Sequence, residues 1–275
     1  YQESVENITQ NYQTQYRERV KEEVERVVDF IEYKRTQSEM RLEQDLREKV
    51  QSAYSIASHM YSSNREEFSE KEIRDRIVEI LRPIRWHNGH GYYFIGAVGK
   101  QSIELFSDDP YYEGKGVEDF IDADGRKVIE ELTHIVENDG AGLYHFQLLK
   151  PAFPGKSFTK VAFVKYFKPF DWFIGAGIYS DDIERGIQNE VIARVQQMKF
   201  GDGGDVLGFR KDGTIIISDE EWLHGRSVLG LTDDSGYGYG RKLLEVGRGE
   251  VDDPYVRYSL KHHDSPFRQK MNYVQ

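Results

Sequence analysis

The chain contains no cysteine, no proline or glycine between Asn7 and Ser62, and no run approaching the ~18 apolar residues a membrane helix needs. The missing cysteine removes disulfides, zinc–thiolate sites and thiol nucleophiles, and leaves the compartment undecided. No signal peptide is visible. Apolar residues make up 38% and charged residues 31%, against typical values of about 45–50% and 25%. So polar a chain of 275 residues predicts an elongated shape with much surface. The net charge of −11 argues against nucleic acid or an anionic membrane surface as partner. It leaves room for a small anion in a local basic pocket. The chain opens at Tyr1 without methionine and stops at Gln275 in what reads as mid-strand, as expected of an excised segment.

Within the stretch free of proline and glycine, Val5, Ile8, Tyr12, Tyr16, Val20, Val24, Val27 and Ile31 recur at three- and four-residue steps. Leu42, Leu46, Val50, Tyr54, Ala57 and Tyr61 continue the stripe, with acidic and basic residues alternating on the other faces. One helix of this length spans on the order of 80 Å, too long for one core. It must lie along two stacked domains, pair with a copy of itself, or do both. Ser69 with Glu72 forms a capping box that opens a short helix, stopped at Pro83.

Strands are predicted at Tyr92–Gly96, Ser102–Phe106, Leu143–Leu149, Phe158–Phe167 and Trp172–Tyr179. Lys168-Pro169-Phe170-Asp171 turns the last two into a hairpin, covered on both faces, that closes the sheet. Gly175 and Gly177 mark places where a backbone or ligand approaches closely. A helix with Val128, Ile129, Leu132, Ile135 and Val136 on one face follows Asp122-Ala123-Asp124-Gly125. The order predicts α+β architecture, an antiparallel sheet with helices to one side. A proline-free connector helix covers Ser180–Phe200, and Gly201-Asp202-Gly203-Gly204 breaks it. The remainder repeats the first unit weakly: Val206–Ile217 matches the first hairpin, Gly240–Glu245 echoes Gly125–Glu130, and Tyr255–Leu260 echoes Leu143–Leu148. No counterpart of Trp172–Tyr179 follows.

Gly91-Tyr-Tyr-Phe-Ile95, Gly114-Lys-Gly116, Asp124-Gly125, Lys156 with Phe163-Val164-Lys165, and Trp172-Phe-Ile-Gly-Ala-Gly-Ile-Tyr-Ser-Asp-Asp182 resemble a Cache sensor domain of the second subtype. The tandem arrangement is similar to double-Cache input modules. The likeness is dense over 85–182 and partial over 201–275, where Gly236-Tyr-Gly-Tyr-Gly240 replaces the expected approach to the helix. The resemblance implies a stalk and dimerisation helix over 1–65, a membrane-distal PAS-like unit over 66–182, a connector over 183–200 and an incomplete proximal unit over 201–275. It further implies a periplasmic location, a parent anchored in the membrane by helices outside this segment, and a homodimer through the long helix. A histidine kinase, chemotaxis transducer or cyclic-dinucleotide enzyme would be the output. The expected ligand is a small organic acid or an amine in the distal unit, with no cofactor. The alternative is a dimerising or protein-docking spacer with a degenerate pocket.

A carboxylate pocket needs fixed cations against an aromatic wall. The candidates are Arg85 and Trp86 in the loop entering the first strand, His90 near the pocket rim, Tyr93, Tyr144 and Phe146 on strands, and Lys156 and Lys160 flanking the fourth strand. For each, the plain alternative is a core aromatic or a solvated cation. Alternation places Tyr93 and Ile95 on one face of the first strand and Tyr92 and Phe94 on the other, and leaves open which face lines the pocket. His87 and His90 suggest a metal site, helped by His262-His263-Asp264, but the loop itself offers two ligands where zinc needs three or four, so loop histidines are expected. Asp122, Asp124 and Glu131 fit EF-hand positions, but Phe120 would fall at the first ligand, so a turn and helix N-cap is expected. No nucleophile elbow or phosphate loop occurs, and no enzyme is expected.

Overall fold

A computed structural model describes residues 2–149, 155, 157–198, 200, 204–262 and 265–275. Lys156, Gly201–Gly203 and His263-Asp264 lie outside these residues. The chain divides into two compact units, residues 37–186 and residues 1–36 with 187–275. The helix α1 (Gln2–Asn64) contributes to both.

The first of these units holds α2 (Glu70–Leu81) and a six-stranded antiparallel sheet. Its strands are β1 (Arg85–Trp86), β2 (Gly91–Ala97), β3 (Ser102–Phe106), β4 (Ala141–Leu149), β5 (Ser157–Phe167) and β6 (Trp172–Tyr179), with α3 (Val128–Asp139) between β3 and β4. The order is β1-β2-β6-β5-β4, with β3 also pairing β2. The β5–β6 hairpin therefore lies in the middle of the sheet, not at its edge. Its turn carries Asp171 at φ 54°, a left-handed conformation that aspartate tolerates.

Strand alternation divides the core cleanly. Tyr93, Ile95, Phe163, Ile174, Ala176 and Ile178 face Leu46, Val50, Ala53 and Ala57 of α1 and Ile73, Ile77 and Leu81 of α2. The Ser69–Glu72 capping box starts α2 as its sequence predicts. On the opposite face, Tyr92, Phe94, Phe106, Phe146, Ala162, Phe173 and Tyr179 lie with Phe120 and with Val128, Ile129, Leu132 and Val136 of α3. The turn before α3 is an Asx turn: Asp122 Oδ1 accepts from the backbone N–H of Asp124 at 2.9 Å and of Arg126 at 2.8 Å. The expected N-cap does not form there, because Asp122 spends its oxygens within the turn and the helix starts behind Lys127 without a side-chain cap.

In the second unit, Val27 of α1 packs with Val191 and Val195 of α4 (Ser180–Gln196) and with Ile217. A further core joins Ile215, Val228 and Val256 to Leu243, Leu244 and Val246 of α5 (Tyr239–Gly247). Its strands form two ladders, β7 (Gly208–Phe209) with β8 (Ile215–Ile217), and β9 (Tyr255–His262) with β10 (Ser265–Tyr273). The predicted stripe on α1 is only partly covered. Tyr12 is 70% exposed, Tyr16 43% and Ile31 38%, and among the described residues of this half of the helix only Val27 is buried.

Gly175 makes room for a ring: a methyl group there would lie 2.2 Å from Cζ of Phe94. Gly175→Ala is expected to destabilise the unit by about 1–3 kcal/mol through overpacking. Urea unfolding should show this, and Phe94→Leu in the same chain should recover part of the loss.

Candidate ligand site

Lys160 is the anomaly on the α3 face of the sheet. Antiparallel register places it between Phe146 on β4 and Tyr179 on β6. Its stem crosses β6 at Gly177, where a methyl group would meet Cε at 2.8 Å. Only glycine leaves this path open, so the lysine reaches inward rather than to solvent. The residue is fully buried, with Nζ 4.2 Å from the ring centre of Tyr92, 4.5 Å from that of Phe106 and 5.5 Å from that of Phe146. Nζ has no hydrogen-bond partner among the described residues.

Neutral oxygens share this face. The hydroxyls of Tyr92 and Tyr144 are buried and likewise lack partners among the described residues. Tyr179 donates its hydroxyl to Asp108 Oδ2 at 2.6 Å. Burial, then the charge and hydrogen bond of Asp108, push the Tyr179 phenol far above its ordinary range. Burial also raises Tyr144, against a smaller opposing effect of Arg126. The same burial pulls the Lys160 ammonium well below the usual lysine range. The rings oppose that shift, since a cation over an aromatic face gains roughly 0.5–2 kcal/mol. Dehydrating an ammonium costs several kcal/mol, and three donors without acceptors add to it. Desolvation prevails.

The segment after β3 is pinned beside this cluster. Arg82 grips Glu113 bidentately at 2.7 and 2.9 Å, and Glu113 also accepts from the N–H of Phe106 at 3.0 Å. Tyr112 lies against Phe120, with ring centres 4.9 Å apart. Asp122, buried and paired with Arg126 at 2.7 Å, borders Tyr144 through the Arg126 guanidinium 5.5 Å from its ring.

Of the residues singled out in the sequence, the structure gathers Lys160, Tyr144 and Phe146 on this face. Tyr93 is on the opposite face, its hydroxyl donating to the Lys49 carbonyl at 3.1 Å. Trp86 is there too, with its ring centre 5.0 Å from that of Tyr93. Arg85 pairs with Tyr92 across the β1–β2 ladder but is exposed, its guanidinium donating to the carbonyls of Arg82, Ile84 and Ser107 at 2.6–2.9 Å. His90 is exposed beside it. His87 Nε2 lies 3.0 Å from Asp45. Lys156 is outside the described residues. Sequence reasoning missed Tyr92, Phe106 and Tyr179. The signal for Tyr92 and Tyr179 was the register: both sit across from the glycine and lysine that make the inner passage.

A groove of about 760 Å³ lies in the other unit, lined by Gln196, Met198, Ser218, Asp219, Glu221 and His224 among others. Despite its size, its charged lining among the described residues is Asp219 and Glu221, with His224 beside them and no lysine or arginine. The Lys160 cluster has the chemistry of an anion site and the groove does not.

A PAS-like antiparallel sheet, with one face closed by α1 and α2 and a buried lysine amine among rings on the other, is the architecture of a sensor module. The chain belongs to the Cache domain family, dCache_2, which matches residues 1–275. It is 24% identical over 116 residues to the methyl-accepting chemotaxis protein McpP of Pseudomonas putida, covering 42% of this chain and 21% of that one. It is 31% identical over 114 residues to the sensor histidine kinase MctS of Rhizobium johnstonii, covering 42% and 24%. A solved Cache chemosensory domain described for carboxylic acid recognition is similar with TM-score 0.46 and 22% identity, over 50% of this chain and 92% of its own. The chain thus spans about a quarter or less of the curated relatives it matches. The relatives are receptors, and a Cache domain senses rather than catalyses. No helix among the described residues is long and apolar enough to cross a membrane.

Lys160→Met should stabilise the ligand-free protein, because it replaces an unsatisfied buried amine by an apolar chain of similar length. A gain of about 1–3 kcal/mol is expected in denaturant unfolding. A loss of stability would show that Lys160 already has a partner.

Proposed function

We propose that the unit of residues 37–186 is the ligand-binding half of a periplasmic receptor input module, and that its ligand is a small carboxylic acid held by Lys160. The observation that carries this reading is the Lys160 amine, fully buried among aromatic rings without an acceptor. A carboxylate brings the two things that amine lacks, a counter-charge and acceptor oxygens. The hydroxyls of Tyr92 and Tyr144 supply neutral donors for its second oxygen, and the rings of Phe106 and Phe146 suit a short apolar tail. A charge-assisted hydrogen bond of this kind contributes about 1.5–3 kcal/mol.

Binding would bias the α3 face of the sheet, and α4, which leads out of β6, would carry that bias onward. A differential affinity of about 1–3 kcal/mol between two states suffices for such a switch. The parent is proposed to be membrane-anchored, with a histidine kinase as output. The exposed Tyr12, Tyr16, Ile31 and Met40 support a homodimer along α1. The carboxylate reading is favoured over an amine, because the unpaired buried group is itself an amine.

Thermal-shift measurements against small carboxylates, amino acids and amines test this, with Lys160→Met and Arg85→Ala in parallel. Ligand at 100 times its Kd should add about 2.7 kcal/mol. Lys160→Met should lose about 10- to 150-fold in affinity, the equivalent of that one hydrogen bond. Arg85→Ala should lose far less, since Arg85 holds backbone carbonyls. Loss with Arg85→Ala alone would move the site to the β1 edge, and no response to any class would favour a spacer.

A further inference from the structure

This inference rests on the Lys160 face being an acid-binding site. We infer that the site takes its ligand together with a proton: Lys160 is a neutral amine in the empty protein, and it is protonated from solvent as the carboxylate arrives. One N–H bond forms at Nζ as the bond from that proton to a solvent or buffer acid breaks, and no bond of the ligand or protein backbone changes. The carboxylate and the new ammonium then neutralise one another inside the barrier of rings.

The geometry points to this because no described group hydrogen-bonds Lys160 Nζ or pairs with it as an ammonium. Its neighbours across the ladders are Phe146 and Tyr179. The titratable and charged groups on the packed elements are Tyr92 on β2, Tyr144 on β4, Tyr179 on β6, Asp108 and Tyr112 after β3, and Asp122 with Arg126 before α3. α3 turns Val128, Ile129, Leu132, Thr133 and Val136 inward, none of which titrates. Of the two carboxylates, Asp108 accepts the Tyr179 hydroxyl at 2.6 Å. Asp122 accepts from Arg126 and from two backbone N–H groups. Neither is hydrogen-bonded to Lys160 Nζ. The buried phenols are held neutral, as the upward shifts of Tyr144 and Tyr179 require. An ammonium here would face dipoles and quadrupoles alone, and burial lowers the lysine pKa accordingly.

The sign follows from linkage. The empty site lacks the proton above its own lowered pKa, and the complex keeps it up to a higher one. Between these two values, binding consumes one proton and the apparent Kd rises tenfold per pH unit. Occupancy at fixed acid concentration therefore increases on acidification. The module reads the product of acid and proton concentrations, which a permanently charged cation would not do.

Calorimetry of the 275-residue chain with acetate, and with propionate as second probe, tests this at pH 7.5 in buffers of different ionisation enthalpy. Uptake near one proton per ligand is expected, with Kd rising close to tenfold from pH 7.5 to pH 8.5. Lys160→Arg, charged throughout this range, should bind without proton uptake. The carbon-13 shift of Lys160 Cε in the ligand-free chain gives a ligand-independent readout and should show the neutral amine at pH 8.5. Acid binding without proton uptake, together with an ordinary lysine titration of Cε, overturns the inference and leaves the acid-binding reading intact. Absence of any binding by both acids overturns the two together.

Discussion

A lysine amine enclosed by aromatic rings is unfavourable unless something else in the molecule compensates, and the surrounding unit is arranged around that one constraint. The β5–β6 hairpin lies at the centre of the sheet, where both faces are covered. Gly175 and Gly177 clear the α3 face of β6 for the ring of Phe94 and the stem of Lys160. The α1–α2 face is plainly structural, with aliphatic and aromatic side chains closing on two helices. The α3 face instead collects buried hydroxyls, a buried amine and seven buried aromatic rings, with Tyr144 and Tyr112 packed against them. Such an imbalance between faces is hard to explain by stability alone, because apolar residues of the same volume would pack at lower cost. The proposed ligand would complete the polar pairing of this face.

Much of the fold was legible because local rules act on contiguous residues. The Ser69 box, the Pro83 stop, the Pro169 turn and the two-residue alternation of β2, β5 and β6 each sit within a few positions of one another. Membership of the Cache family was readable from the same segments. The placement of the site was not. Alternation divides Tyr92 from Tyr93, but it cannot tell which of the two faces meets a helix. That choice is made by register, through Tyr92 opposite Gly177 and Lys160 opposite Phe146, contacts remote in sequence.

Arg85 illustrates the other limit. In the sequence it is the most attractive anion donor, a guanidinium just ahead of an aromatic strand. Carbonyls of its own turn and of Ser107 claim those donors, and Arg85 stays exposed at the sheet edge. Nothing in residue type or spacing announces such competition. The exposed half of the α1 stripe is a similar case: periodicity shows that Tyr12 and Tyr16 share a side of the helix, not whether anything covers it.

The most direct test of the central claim is a crystal structure of the chain grown with propionate. The account predicts a carboxylate oxygen about 2.7–2.9 Å from Lys160 Nζ, with its tail against Phe106 and Phe146. Ligand bound beside Trp86 and Tyr93, or in the Ser218–His224 groove while Lys160 stays without an acceptor, would contradict it.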